Sequence, residues 1–213
     1  IAAMMTKHKI RYIKLRKKKM QEQKSFDYRD YIVMIILIAI NIIIYMYCTY
    51  AGEVVYNRGC MDAERVLLDG EYYRFFTSMF MHGGIDHIVS NMIFLAALGE
   101  MLERVIGHVR FAILYMLSGL GGGIFSVANV LLSGNSHTSV GASGAIFGLI
   151  GAMLILVVIH NGRYQGISVG RMIFAIVYMV YDGMRSEGID NAAHVGGLVF
   201  GALIMAFMNV IEA

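Results

Sequence analysis

The 213-residue chain contains no proline and no tryptophan, and only two cysteines. Two cysteines, Cys48 in an apolar run and Cys60 in a polar stretch, cannot make a disulfide framework or a zinc ribbon. Charge is also scarce. Asp, Glu, Lys and Arg make up 15% of residues, against about 25% in soluble domains. Without proline no helix need be broken, so turns fall to the 24 glycines.

What is abundant is apolar surface: 58% of residues are hydrophobic and the mean hydropathy is +0.63. At about 20 residues per span, such a chain has room for six membrane helices. The first is Tyr31 to Tyr50, without one formal charge. Further spans are expected near Asp86–Leu102, Phe111–Leu132, Ser143–Ile159, Ile167–Tyr181 and Ala192–Val210. The polar and aromatic residues 51–84 are too long for a turn and are expected to carry short helices of their own. The fold class is therefore all-α and polytopic.

Half of the basic residues lie between Lys7 and Lys24, beside the single acid Glu22. Such a segment suits a nucleic-acid arm or the cytoplasmic flank of a first span. The charge-free run that follows favours the flank, and it is too long for a cleavable signal peptide. Residues 1–27 thus read as a basic cytoplasmic tail and 28–213 as a membrane domain, with a lipid bilayer and not nucleic acid as surroundings. With the N-terminus inside, the cytoplasmic side carries Arg104, Arg110, Arg163 and Arg171, while 133–142 has no Lys or Arg and 182–191 only Arg185. Both termini are expected to be cytoplasmic.

Polar groups inside spans are costly and suggest function. His82, His87 and Asn91 occur in MHGGIDHIVSN, Ser143 in VGASGAIFG, and Asn191 and His194 in DNAAHVGG. His87 and Asn91, four apart, share one helix face. On the expected topology all three groups lie at one depth near the external face. Small residues four apart beside them, Gly144 with Gly148 and Ala193 with Gly197 and Gly201, allow helices to approach closely. A serine beside a neutral histidine is a nucleophile with its general base, and helix N-terminal N–H groups can receive an oxyanion. The sixth expected span contains no acid to orient His194, so a dyad is expected rather than a triad.

These residues carry a resemblance. GASGAIFG at 141–148, the His82, His87 and Asn91 pattern and AAHVGG around His194 occur in the order and span positions of the rhomboid intramembrane serine proteases. The resemblance covers residues 28–211 and implies a six-transmembrane-helix rhomboid bundle. It implies Ser143 as nucleophile and His194 as general base, with His87, Asn91 and the Ser143 amide forming the oxyanion hole. Gly141, Gly144, Phe147, Asn191 and His82 would line the site. Phe147 stands where the family commonly has a tyrosine stacked on the catalytic histidine. Tyr73 with Arg74, and Glu103 with Arg104 and Gly107, match structural positions.

The implied reaction is endoproteolysis in or beside the transmembrane segment of another membrane protein, through an acyl-enzyme and without metal or cofactor. The expected location is a bacterial plasma membrane. Three alternatives fit the residues less well. A non-catalytic client-binding relative usually lacks the serine or the histidine, and a transporter would carry its polar groups at mid-bilayer. A zinc protease using His82, Asp86, His87 and His194 would want a helical HExxH, whereas His82 and His87 are five apart.

Overall fold

The computed structural model describes residues 27–185 and 188–212; the basic tail over residues 1–26 lies outside them. Among the described residues, four helices are long and apolar enough to cross a membrane. They are α1 (Ile32–Ala51), continuing a short 3-10 turn at Tyr28–Tyr31, α5 (Ile85–Ile106), α6 (His108–Ser133) and α9 (Asn191–Glu212). Between them stand two helices of 17 residues, α7 (Ser143–Ile159) and α8 (Val169–Arg185). Residues 51–84 hold the short helices α2 (Glu53–Gly59), α3 (Ala63–Leu68) and α4 (Arg74–Thr77).

The helix α7 is the axis of the bundle. Most of its residues are buried, from Gly144 through Met153 without interruption, because it packs against α6 on one side and α9 on the other. Glycine makes that packing possible. A Cβ on Gly197 would overlap the Gly144 carbonyl, one on Gly201 the Gly148 carbonyl, and one on Gly148 the Ser118 side chain. Backbone therefore meets backbone along the α7–α9 seam, while on the α6 side the Ser118 side chain fills the space left by Gly148.

The outer helices are fastened at their ends. Glu103, near the C-terminus of α5, is 1% exposed and its carboxylate accepts the Val33 and Met34 N–H groups, both at 2.8 Å. Two backbone donors that α1 leaves open at its start are thereby satisfied from another helix. Arg74 is equally buried and donates to the carbonyls of Asn57, at 3.0 Å, and Cys60, at 2.6 Å. It holds the long first connection together. A two-residue antiparallel pairing of β1 (Met61–Asp62) with β2 (Thr138–Ser139) then joins that connection to the strand entering α7.

Helix ends differ from the expected ones by up to four residues, as where α5 runs on to Ile106, and one shift has a clear local cause. Ile167 and Ser168, expected to open the fifth span, lie in β4 (Ile167–Ser168), which pairs with β3 (Arg163–Tyr164) in a tight hairpin. Left-handed backbone at Asn161 (φ 58) and Gln165 (φ 45), each followed by a glycine of positive φ, turns the chain there. The helix α8 consequently begins at Val169 and runs on to Arg185. It turns Ile173, Phe174, Val177, Tyr178, Tyr181 and Met184 outward, an apolar face suited to lipid.

Candidate active site

Three helix N-termini converge at one end of the bundle. Ser143 is the first residue of α7, His194 lies one turn into α9, and His87 and Asn91 occupy the first two turns of α5. They surround a cavity of about 370 Å³. Ser143, His194, His87, Asn91, Phe147, Gly141 and Gly144 all lie on its wall, along with Tyr178, Met179 and Gly183 of α8.

The Ser143 Oγ and His194 Nε2 atoms are 3.0 Å apart across the α7–α9 seam. That distance follows from the missing side chains beside them: with Gly144 against the Ala193 carbonyl and Gly197 against Gly144, the two backbones come close enough for a serine to reach an imidazole. The Phe147 ring, one turn along α7, is parallel to the imidazole, with centroids 4.1 Å apart and planes inclined by 9°. The other imidazole nitrogen, Nδ1, is buried and has no hydrogen-bond partner among the described residues. Among the described residues, the Phe147 stack and the Ser143 hydroxyl are what meet the ring.

Gly141 takes φ +125, a conformation unfavourable to L side chains, and a Cβ there would stand 2.8 Å from His87 Nε2. Its N–H donates to the Ser78 carbonyl at 2.9 Å, which fixes the backbone just before the serine. On the far side of that imidazole, the Gly83 N–H reaches His87 Nδ1 at 3.5 Å. An acceptor Nδ1 leaves the proton on Nε2, directed at Gly141. Asn91 Nδ2 is buried and without a partner among the described residues, a free donor at the same wall.

Two residues expected to line the site stand behind it. His82 is 3% exposed and packs edge-on against His87, with ring centroids 5.2 Å apart; it supports that imidazole from the far side and is absent from the cavity wall. Burial, with the neighbouring His87 adding to it, pushes the His82 imidazole down to about 4, so it stays neutral. Asn191 likewise misses the wall, because its Oδ1 faces Gly183 of α8, 2.6 Å from where a Cβ there would be.

An acid beside the dyad escaped the sequence reading. Asp190, immediately before α9, lies on the cavity wall and accepts the Ala193 N–H at 2.9 Å and the Ser126 hydroxyl. Burial alone would raise its carboxyl, but the Ser126 and Ala193 donors outweigh it and hold the group below the usual carboxylate range. The signal was an Asp at the N-cap position of an apolar helix, which reads only as a cap.

A family model described as the Rhomboid domain matches residues 69–210. The chain belongs to the rhomboid family. This rhomboid is 37% identical over 147 residues to RHOMBOID-like protein 4 of Arabidopsis thaliana, a match covering 68% of the chain and 36% of that protein. It is 32% identical over 148 residues to rhomboid protease GluP of Bacillus subtilis (strain 168), covering 70% of the chain and 28% of the relative. With rhomboid protease AarA of Providencia stuartii it shares 31% identity over 195 residues, 79% of the chain and 69% of the relative. The matches thus span only about a third of the first two relatives' length. Family and helices together make this rhomboid an integral membrane protein. Because the similarities reach plant as well as bacterial proteins, they lend no support to the expected bacterial plasma membrane.

Proposed function

We propose that this rhomboid is an intramembrane serine endopeptidase that cuts transmembrane proteins through Ser143 and His194. The observation that carries the proposal is the 3.0 Å approach of Ser143 Oγ to His194 Nε2 at the end of a cavity. A nucleophile and base need that reach. Relatives named as rhomboid proteases, GluP and AarA, support the same reaction class.

In the proposed reaction His194 Nε2 takes the Ser143 hydroxyl proton as Oγ attacks a substrate carbonyl carbon. The negative charge that develops on the carbonyl oxygen is received by the Ser143 N–H at the start of α7, by His87 Nε2–H and by Asn91 Nδ2–H. Preorganised donors of this kind are worth most in a site shielded from bulk water. Collapse of the tetrahedral intermediate expels the amine, which takes the proton from His194, and leaves an ester on Ser143 Oγ. Water, deprotonated by His194, then hydrolyses the ester and restores the serine.

The bundle is proposed to cross the membrane six times, α7 and α8 included, with both termini cytoplasmic and the cavity opening to the external face. A transmembrane substrate must unwind where it is cut, since an intact helix buries its carbonyls in hydrogen bonds. Small, helix-destabilising residues near the bond therefore favour cleavage. The access route we favour lies between α5 and α8, since α8 presents Tyr178, Met179 and Gly183 to the cavity and an apolar face outward.

The test is reconstitution of the protein in vesicles with single-span reporters, followed by mass mapping of products. Cleavage within or beside the reporter's span by the wild type, absent from Ser143→Ala, is the expected result. Binding of reporters without any cleavage would favour the non-catalytic client-binding alternative instead.

A further inference from the structure

The dyad is held by two helices, and the first turn of α9 is tied to its neighbours by one carboxylate. Asp190 Oδ1 accepts the Ala193 N–H at 2.9 Å, capping the helix one turn before His194. Its other oxygen, Oδ2, accepts the Ser126 hydroxyl from α6 and lies 3.5 Å from His137 Nε2 in the segment preceding β2. Ser126 Oγ is in turn 3.4 Å from Ser139 Oγ, four residues ahead of Ser143. The Asp190 side chain is 7% exposed, so these contacts meet little competition from water. The Asp190 carbonyl also accepts the His194 N–H, at 3.2 Å.

Those contacts join the segment that delivers His194 to α6 and to the strand that delivers Ser143. Their importance follows from what His194 lacks. With Nδ1 unpartnered among the described residues, no side chain there holds the imidazole from its far nitrogen, so its distance from Ser143 depends on the stack with Phe147 and on where the first turn of α9 sits. A Ser or Thr cap would satisfy the Ala193 N–H but has no second carboxylate oxygen for Ser126. Asp supplies both, and charge makes each bond shorter and stronger.

We propose that Asp190 is a positioning residue for the Ser143–His194 reaction, locking the first turn of α9 to α6 and to the strand entering α7. The inference rests on the serine-protease reading above. It gives Asp190 no contact with substrate and no proton to transfer.

The experiment measures inactivation of the full chain in detergent by a fluorophosphonate probe, separating the maximal rate of labelling from the half-saturating concentration. Asp190→Ala is expected to lower the maximal rate about ten- to hundredfold, the scale of a displacement of about 1 Å. The half-saturating concentration should move little. Asp190→Asn, whose carbonyl can still cap Ala193 and whose amide can donate to the Ser126 oxygen, should recover most of that loss. Ser126→Ala leaves the cap intact and cuts the tie to α6, so it should slow labelling in part. Combining it with Asp190→Ala should add nothing further, since both remove one interaction.

Wild-type labelling rates in Asp190→Ala and Ser126→Ala would overturn the proposal. So would an Asp190→Asn as slow as Asp190→Ala, for that would mean the loss is not one of hydrogen-bonded position. Should Asp190→Ala fail to fold, Ser126→Ala decides at unchanged melting temperature: slower labelling supports the tie, an unchanged rate removes it. A wild type that does not label at all overturns the serine-protease reading, and this inference with it.

Discussion

The Phe147 ring lies flat on the His194 imidazole, with centroids 4.1 Å apart, on the helix that also bears Ser143. One helix thus presents the hydroxyl and, a turn later, the surface that orients its partner. Replacing Phe147 by Ala should leave the imidazole free to turn, lowering kcat by about tenfold or more with little change in KM. Phe147→Tyr keeps the ring and should retain most of the rate. Steady-state kinetics on a cleaved reporter would check both, and wild-type kcat in Phe147→Ala would reduce the stack to packing.

Asn91 presents an amide nitrogen with no partner among the described residues to the cavity wall. If that donor meets the oxyanion, Asn91→Ala should lower kcat by about a hundredfold or more while the protein's melting temperature holds. Removing a donor that already lacks a partner should cost the resting state little. An unchanged kcat would confine Asn91 to packing.

The α7–α9 seam should tolerate no side chains. A Cβ on Gly197 or Gly201 would overlap a backbone carbonyl of α7, and a backbone cannot move aside as a flexible side chain can. Either alanine substitution should cost at least the about 1–3 kcal/mol typical of overpacking, seen as a lower melting temperature. Gly170→Ala, with no atom within 4 Å of the added carbon, is the control. Equal melting temperatures for Gly197→Ala and Gly170→Ala would contradict the close approach on which the dyad distance depends.

His82 should make the fold acid-sensitive. Its imidazole ordinarily titrates near 6.5 and is pushed down to about 4 by burial and by His87. Between those values the unfolded chain binds a proton that the folded protein excludes. Its contribution to stability is therefore full above about 6.5 and declines as pH falls towards 4. Melting temperature against pH should fall through that window, and less steeply in His82→Gln. Parallel curves for the two proteins would show that His82 does not carry the effect.

How much of this was legible follows from the solvent. A bilayer requires long apolar helices, so Tyr31 to Tyr50 reads directly as α1, and the polar residues left in other spans stand out. His87, Asn91, Ser143 and His194 were visible on that ground, as was the close seam from Gly144, Gly197 and Gly201. The hairpin at Arg163–Ser168 was not, because its turn rests on Asn161 and on Gln165 in a left-handed conformation, and Gln carries almost no such signal. Asp190 was missed for another reason. An acid before a helix announces a cap, while its hold on Ser126 is a contact between residues 64 apart in sequence. Asn191 and His82, close in sequence to the chemistry, lie behind the cavity because of contacts no sequence spacing announces, Asn191 Oδ1 turned to Gly183 of α8 and His82 packed edge-on against His87.

The central claim, that Ser143 is a nucleophile activated by His194, is tested most directly by fluorophosphonate labelling of the purified protein beside Ser143→Ala and His194→Ala. The account predicts that the wild type labels, with the probe mapped to Ser143, and that both variants do not while melting at similar temperatures. Labelling of His194→Ala at the wild-type rate would contradict it, as would a wild type that stays unlabelled where an active relative is labelled.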